Sequence, residues 1–323
     1  MNEKYNRRRF IKKMAQNTAA LASLSLLNTG CQQSTPRPNI LFCITDDQSW
    51  KHAGAYGCEF VDTPAFDRVA REGILFNHAY VSSPSCCPSR GSVLTGQDFY
   101  RLEEASMNHT IWPNKFDVYP DLLEKSGYHI GFTGKGWGPG RFNVQGRTHN
   151  PAGPAYNEIE TTPPAKGMNT IDYSKNFAAF LDDRPQDAPF CFWLGITEPH
   201  LVYERGSGVK LGIDLDQVNV PDFYPNTRTV KSGLADYAAE IEYGDSQLGT
   251  ILGILEERGE LENTLVVVTS DNGMPLPRAK ATCYDYGTRM PLAIRWGDKI
   301  KPGRVLDDFV SFTDFAPTFL QAA

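Results

Sequence analysis

The sequence predicts a three-layer α/β/α domain on a mostly parallel, mixed central sheet. Apolar strand-like runs alternate with helix-like segments, the pattern of strands joined by crossover helices. The runs at residues 39–45, 190–196 and 264–270 are nearly continuous in apolar residues, as befits strands covered on both faces. Each of these runs ends in a polar cluster: Asp46-Asp47, Glu198-Pro199-His200 and Asp271-Asn272. Sheets of this class bind ligands beyond the carboxyl ends of their strands.

Taken in order, Asn39-Ile40-Leu41-Phe42-Cys43-Ile44-Thr45 is the first strand. Thr63-Pro64 opens a helix through Arg71, since the fixed φ of proline suits a first turn, and Gly73 stops it. Residues 74–81 form a strand leading into a turn at Cys86, with Pro88 opening the next helix. Residues 121–125 read as a helix ended by Gly127, and 129–133 as a short strand. Residues 137–166 are rich in Gly and Pro without periodicity, which predicts a long surface loop over the site. A helix at 173–182, the strand at 190–196 and a helix at 234–258 follow, with Gly244 a candidate break. The last strands are expected at 264–270, 291–296 and 309–312. No internal repeat, heptad or low-complexity tract interrupts this order.

At 41 % hydrophobic and 22 % charged, the 323 residues have the composition of an ordinary soluble globular protein. Residues 1–31 differ. Asn6-Arg7-Arg8-Arg9-Phe10-Ile11-Lys12 resembles a twin-arginine export signal, an apolar stretch covers 14–27, and Gly30-Cys31 follows. That stretch is too short to span a membrane as a helix and reads as a bacterial targeting segment outside the fold. Leu27 with Gly30-Cys31 resembles a lipidation box, which makes Cys31 the candidate first residue of a lipid-anchored mature chain. Asn28 departs from the aliphatic residue usual there, so plain cleavage and an uncleaved anchor stay open. The expected location is outside the cytoplasm, in the periplasm or anchored to a membrane through lipidated Cys31, with the extracellular face as an alternative, and the folded domain is expected over 32–323.

Residues 1–31 hold six of the 32 Lys and Arg and one of the 38 Asp and Glu, so the remainder carries 26 against 37 and a net charge of −11. Such a chain is a poor partner for nucleic acid. An anionic substrate would depend on local cations, which directs attention to Arg90, Lys135 and Lys280. The seven cysteines (31, 43, 58, 86, 87, 191 and 283) show no CxxC spacing and support neither a disulfide framework nor a zinc site. Cys43 and Cys191 lie in apolar runs and read as buried small hydrophobes.

The most informative stretch is Cys86-Cys87-Pro88-Ser89-Arg90, followed by Leu94-Thr95-Gly96. Cys86 is expected just before a helix N-terminus, where free N–H groups and the macrodipole favour negative charge, and Arg90 adds a permanent cation. Asp46, Asp47, Asp271 and Asn272 offer three carboxylates and an amide oxygen, a ligand set suited to a hard cation, Ca²⁺ or Mg²⁺. The cysteine motif resembles that of the formylglycine-dependent (type I) sulfatases of the alkaline-phosphatase-like superfamily. The resemblance covers residues 39–323. Residues 134–138 and 270–280 are most similar to the sulfamidase (N-sulfoglucosamine sulfohydrolase-like) branch.

That resemblance implies a fold, an activity and a role for each residue. Cys86 would be oxidised to formylglycine by a dedicated maturation enzyme, and its hydrate would attack sulfur. Asp46, Asp47, Asp271, Asn272 and the modified Cys86 would hold Ca²⁺, with Mg²⁺ as the alternative. Arg90 would support the nucleophile, Lys135 and Lys280 would bind sulfate, and His200 would protonate the leaving group. Tyr284 and Gly287-Thr288-Arg289-Met290-Pro291 continue the family pattern beyond Lys280, and Arg278 is a nearby cation. A twin-arginine translocase carries folded proteins, so modification would precede export.

Two departures stand out. The family has a His two residues after Lys135, taken as the base that regenerates the aldehyde; this chain has Trp137, which lacks a basic nitrogen and is expected to wall the pocket and stack on a sugar ring. The sequence also stops where the family continues into a small C-terminal subdomain, so that subdomain is expected to be missing here, with a fragment and a form lacking one wall of the pocket both open. The resulting reading is a hydrolase of a sulfate ester or sulfamate on a carbohydrate. Its rivals are a phosphate or phosphonate ester hydrolase of the same superfamily and a non-catalytic glycan-binding relative.

Overall fold

The structure, a computed structural model, describes residues 37–323; the export-signal and Cys31 readings lie outside the described residues. Along the chain come strand β1 (Asn39–Thr45), helix α1 (Pro64–Glu72), β2 (Ile74–Tyr80), α2 (Cys86–Thr95), α3 (Tyr119–Lys125), β3 (His129–Gly134), α4 (Tyr173–Asp182), β4 (Phe190–Gly195), α5 (Ser207–Lys210), α6 (Arg228–Glu257), β5 (Thr264–Ser270), α7 (Asp285–Thr288), β6 (Arg289–Met290), β7 (Leu292–Arg295), β8 (Arg304–Ser311) and α8 (Phe315–Ala322). The eight strands form one sheet in the order β3-β4-β1-β5-β7-β2-β6, with β8 also on β2. β3, β4, β1 and β5 are mutually parallel; β7 and β6 run antiparallel to their neighbours, so the sheet is mixed as expected.

The continuous apolar runs have a direct structural reason. Every residue of β1 and β5 is buried, because helices cover both faces of the sheet. On one face Ile40, Phe42 and Val267 pack with Val93 of α2, Leu123 of α3 and Phe319 of α8. On the other, Leu41, Cys43 and Val268 pack with Val69 of α1, Phe177 of α4 and Leu252 of α6. Odd and even strand positions thus face different helix layers.

Four expectations needed adjustment. Cys86 is the first residue of α2 and Pro88 the third, where the N–H that proline lacks is still one of the unpaired first-turn donors. α6 begins at Arg228, where Thr227 caps Val230 N, and passes through Gly244 unbroken. Gly244 serves packing: a Cβ there would come within 2.9 Å of the Ile196 side chain. β8 starts at Arg304, ahead of the expected 309, because it is a mostly exposed edge strand with no apolar run to mark it. No helix or strand lies between Gly134 and Tyr173, in keeping with the long loop.

Register is what positions the site. Thr45 stands opposite Ser270 in the β1–β5 pair, Ile44 opposite Gly195 in β1–β4, and Gly134 opposite Gly195 in β3–β4. All four parallel strands therefore end on one line. β3 and β4 close especially tightly: a Cβ on Gly195 would sit 2.0 Å from the Lys135 carbonyl oxygen. Gly195→Ala should therefore cost about 1–3 kcal/mol of stability by overpacking, read as a lower urea midpoint, and should displace Lys135. An unchanged midpoint would contradict the close approach.

Candidate active site

Three carboxylates converge just past the strand ends. Asp46 and Asp47 follow β1, Asp271 follows β5, and one oxygen of each lies within 4.8 Å of the others. The backbone welds the ends together: Asp271 N donates to Thr45 O (3.1 Å), Asp46 N to Glu198 O (3.2 Å), and Asp47 N to the Asp271 carboxylate (3.1 Å). Asp47 adopts φ 75°, a left-handed conformation that acidic residues tolerate better than most. The loop after β4, carrying Glu198 and His200, is thereby tied to the same point.

Cations are interleaved with these acids. Arg90 is fully buried; its Nε donates to Asp271 (2.7 Å) and its NH1 to the carbonyls of Lys135 (2.6 Å) and Gly136 (3.1 Å). Lys135 Nζ donates to Asp46 (2.5 Å). Lys280 Nζ donates to both oxygens of Asp47 (2.6 and 2.8 Å) and reaches Cys86 Sγ at 3.2 Å. Ala281 N donates to Pro84 O, which fastens the Lys280 loop beside the Cys86 turn. Cys86 Sγ in turn lies 3.4 Å from Asp46 Oδ1.

This interleaving sets the charge states. Burial pushes the Asp46 carboxyl up, but Lys135, Arg90 and His200 together outweigh it and hold it below the ordinary range. Burial and the Asp46 charge push Asp271 up to about 6 against the pull of Arg90 and Lys135, and Asp47 is raised for the same two reasons. Burial, then Asp271 and Asp46, raises the Cys86 thiol, so the bare side chain is no thiolate at neutral pH.

The donor chemistry fits a hard divalent cation. Three carboxylates meet with an amide whose Oδ1, on Asn272, is buried without a hydrogen-bond partner, while its Nδ2 donates to Asp47. Arg90 NH2 is likewise buried without a partner. A cation among these residues would remove the mutual repulsion that raises Asp47 and Asp271.

A cavity of about 630 Å³ opens on this cluster and is lined by Asp46, Cys86, Lys135, His200 and Lys280 among others. Nine of the ten residues singled out from the sequence therefore sit in or directly behind one cavity. His200 Nε2 lies 3.8 Å from Asp47, and its Nδ1 is 2.6 Å from the Leu201 carbonyl oxygen. A carbonyl cannot donate, so Nδ1 carries the hydrogen and Nε2 is the atom free to take or give a proton.

Trp137 is the tenth, and here the expectation is corrected. Its indole is 2 % exposed, stands edge-on to Trp112 at 5.2 Å and is outside the cavity lining. A Cβ on Gly140 would come within 2.4 Å of its ring, so the loop folds over the indole and seals it. It cannot stack on a sugar. The sequence also left residues unmarked. Asn108 Oδ1 accepts from Cys87 N (3.0 Å), capping α2 where Ser85 does not, and Asn108 and His109 both line the cavity. Glu240 lines it too, and this one had a signal: an acid set among Leu234, Ala238 and Ile241 on the buried side of α6.

The profile of the family described as Sulfatase matches residues 38–323. A ulvan-active sulfatase of Formosa agariphila is 30 % identical over 299 residues, covering 89 % of this chain and 54 % of its own length. Human N-sulphoglucosamine sulphohydrolase is 31 % identical over 322 residues, covering 91 % and 62 %. This chain thus spans about half to three-fifths of these relatives. A solved structure described as a complex with its substrate D-glucosamine-2-N,6-O-disulfate superposes with a TM-score of 0.69 at 22 % identity, over 88 % of this chain and 76 % of that one, and shares the fold.

Two outcomes follow from the geometry. Adding Ca²⁺ to chelator-treated protein should raise the melting temperature, by about 2.7 kcal/mol of stability at a hundredfold excess over Kd; melting indifferent to both Ca²⁺ and Mg²⁺ would count against the cation site. Trp137→Ala should cost about 3–5 kcal/mol in urea titration, the cost of a lost buried aromatic. A neutral effect would mean that the indole is not sealed.

Proposed function

The chain belongs to the sulfatase family, and from that we propose that it hydrolyses a sulfate ester or sulfamate on a carbohydrate, with Cys86, as formylglycine, at the reacting centre. The observation that carries this reading is a helix N-terminus bearing Cys86 set among three carboxylates and three cations in and behind one cavity. Asp46, Asp47, Asp271 and Asn272 hold the cation, which we take to be Ca²⁺. When present, the cation supplies a Lewis acid and the aldehyde hydrate a nucleophile.

The rest falls to the chain's own side chains. Lys135 and Lys280 face the cavity and neutralise sulfate oxygens as negative charge builds on them. Their carboxylate partners hold them charged: burial works against each, but Asp46 opposes it at Lys135 and Asp47 at Lys280. Arg90 acts from behind, fixing Asp271 and the Lys135 backbone. His200 delivers the proton from Nε2 to the departing oxygen or nitrogen. With Trp137 sealed, the base that completes the cycle must be another cavity group or water.

The relatives' printed names, ulvan-active sulfatase and N-sulphoglucosamine sulphohydrolase, support a sulfated glycan as the substrate class. The Arg7-Arg8 segment supports export by a twin-arginine translocase after modification by a formylglycine-generating enzyme, to a periplasmic or Cys31-anchored location.

Peptide mass spectrometry tests the core of this reading. In active protein the peptide holding Cys86 should be lighter by roughly 18 Da, sulfur exchanged for oxygen with loss of two hydrogens. Cys86→Ala should abolish release of sulfate, while Cys87→Ala, whose thiol points to the Pro139 carbonyl, should retain most of it. An unmodified Cys86 in protein that turns over sulfated sugars would defeat the assignment.

A further inference from the structure

Glu240 is a buried acid with no structural task. It is 1 % exposed, its Oε1 has no hydrogen-bond partner, and it lines the same cavity as Cys86 and His200. Its acidic neighbours are all employed. Glu198 accepts from Asn169 N (2.6 Å) and the Tyr173 hydroxyl (2.8 Å). Asp236 accepts from Gly206 N (2.9 Å) and Gly208 N (3.0 Å), holding α5 against α6. A buried carboxyl left unpaired costs free energy that apolar residues of its size would not. Asp236 and Asp245, the other buried acids of α6, each accept two backbone hydrogen bonds, so the unpaired Glu240 beside the cavity points to a ligand.

The local field says which ligand. The charged groups that act on Glu240 are Glu198 and Asp236, both acidic; none of the cations of the Cys86 cluster is among them. Burial first, and then these two, push its carboxyl up to about 8. The cavity therefore has a cationic region at Lys135 and Lys280 and a separate acidic one at Glu240. A metal is a poor candidate for the second. Among the described residues, the side-chain groups able to hold one are Asp46, Cys86 and His200, and Asp46, Asp47 and Asp271; neither includes Glu240. A single carboxyl suits an ammonium, which brings both the charge and the hydrogen-bond donors that the site lacks.

We propose that Glu240 is a specificity-determining residue that receives a protonated amine on the sulfated sugar, so that the preferred substrate is an amino sugar with a free amine. This rests on the sulfatase reading above. A sulfate and an ammonium on one sugar would match the two regions of the cavity, whereas an N-acetyl group would bury a neutral amide against the acid.

Calorimetry on the full chain carrying Cys86→Ala, which leaves the ligand intact, tests this with glucosamine 6-sulfate, N-acetylglucosamine 6-sulfate and glucose 6-sulfate. The free amine should bind roughly tenfold or more tightly than the other two. Glu240→Gln, nearly identical in shape, should remove that preference by weakening the amine alone. Thermal melting should show that the variant is folded. Equal binding of the three sugars, a preference that survives Glu240→Gln, or no binding of the free amine each overturns the proposal. Release of sulfate by the unsubstituted chain is scored separately: its absence defeats the sulfatase reading, whereas release without amine preference defeats only the role of Glu240.

Discussion

Everything at this site follows from three carboxylates buried together at the strand ends. Asp46 and Asp271 are neighbours because β1 and β5 are parallel and in register up to Thr45 and Ser270. Two like charges about 4 Å apart repel by roughly 4 kcal/mol at an effective dielectric of about 20. Left alone, such a triad would protonate or open the sheet. Arg90 enters from α2, Lys135 from the end of β3 and Lys280 from the loop after β5, each at hydrogen-bond distance from a different carboxylate. Much of the chain's polar architecture serves that compensation. The glycine pair at Gly134 and Gly195 lets β3 and β4 close on the Lys135 backbone, and the Ala281–Pro84 bond holds the Lys280 loop to the cysteine turn.

The compensation is uneven, and that gives the site its chemistry. Asp46 has two strong cationic partners and stays ionised, whereas Asp47 and Asp271 are raised toward protonation. The deficit sits beside the unpartnered Asn272 oxygen and Arg90 NH2. A site short of positive charge and holding an idle oxygen donor is built for a cation. The same excess of negative charge, added to burial, makes a bare thiol at position 86 a weak nucleophile.

What the sequence revealed was the chemistry that is local in the chain. The cysteine motif, the paired acids after apolar runs and the lysines beside glycines can each be read within a few residues, and the parallel sheet supplies the rule that brings them together. What escaped was decided by packing between distant segments. Trp137 follows Lys135 in a Gly-rich loop that reads as exposed, yet Trp112 and Gly140 enclose it. Asn108 caps α2 from 21 residues away, through 3₁₀ turns with no periodicity to follow. β8 lacked a signal because an exposed edge strand carries no apolar run. Gly244 looked like a helix break because a close approach to Ile196 leaves the same mark as a turn.

Burial also separates the three cations of the site from its imidazole. Arg90 is wholly enclosed, and Lys135 and Lys280 are 17 % and 21 % exposed; each is tied to a carboxylate. A permanent cation works best there, because low dielectric strengthens its pull and a fixed partner prevents its drift. His200 is 43 % exposed, held only through Nδ1 on a neighbouring carbonyl, and 3.8 Å from the Asp47 carboxylate. For the proton donor proposed above, that exposure leaves a route to water through which it is recharged between turnovers. The Leu201 carbonyl fixes which nitrogen carries the exchangeable proton and leaves Nε2 facing the cavity. Asp47, linked firmly to Lys280, lies 3.8 Å from that nitrogen. A sheet that buries its acids and cations while leaving the imidazole at the rim thus keeps fixed charge and a solvent-accessible titratable ring apart around one cavity.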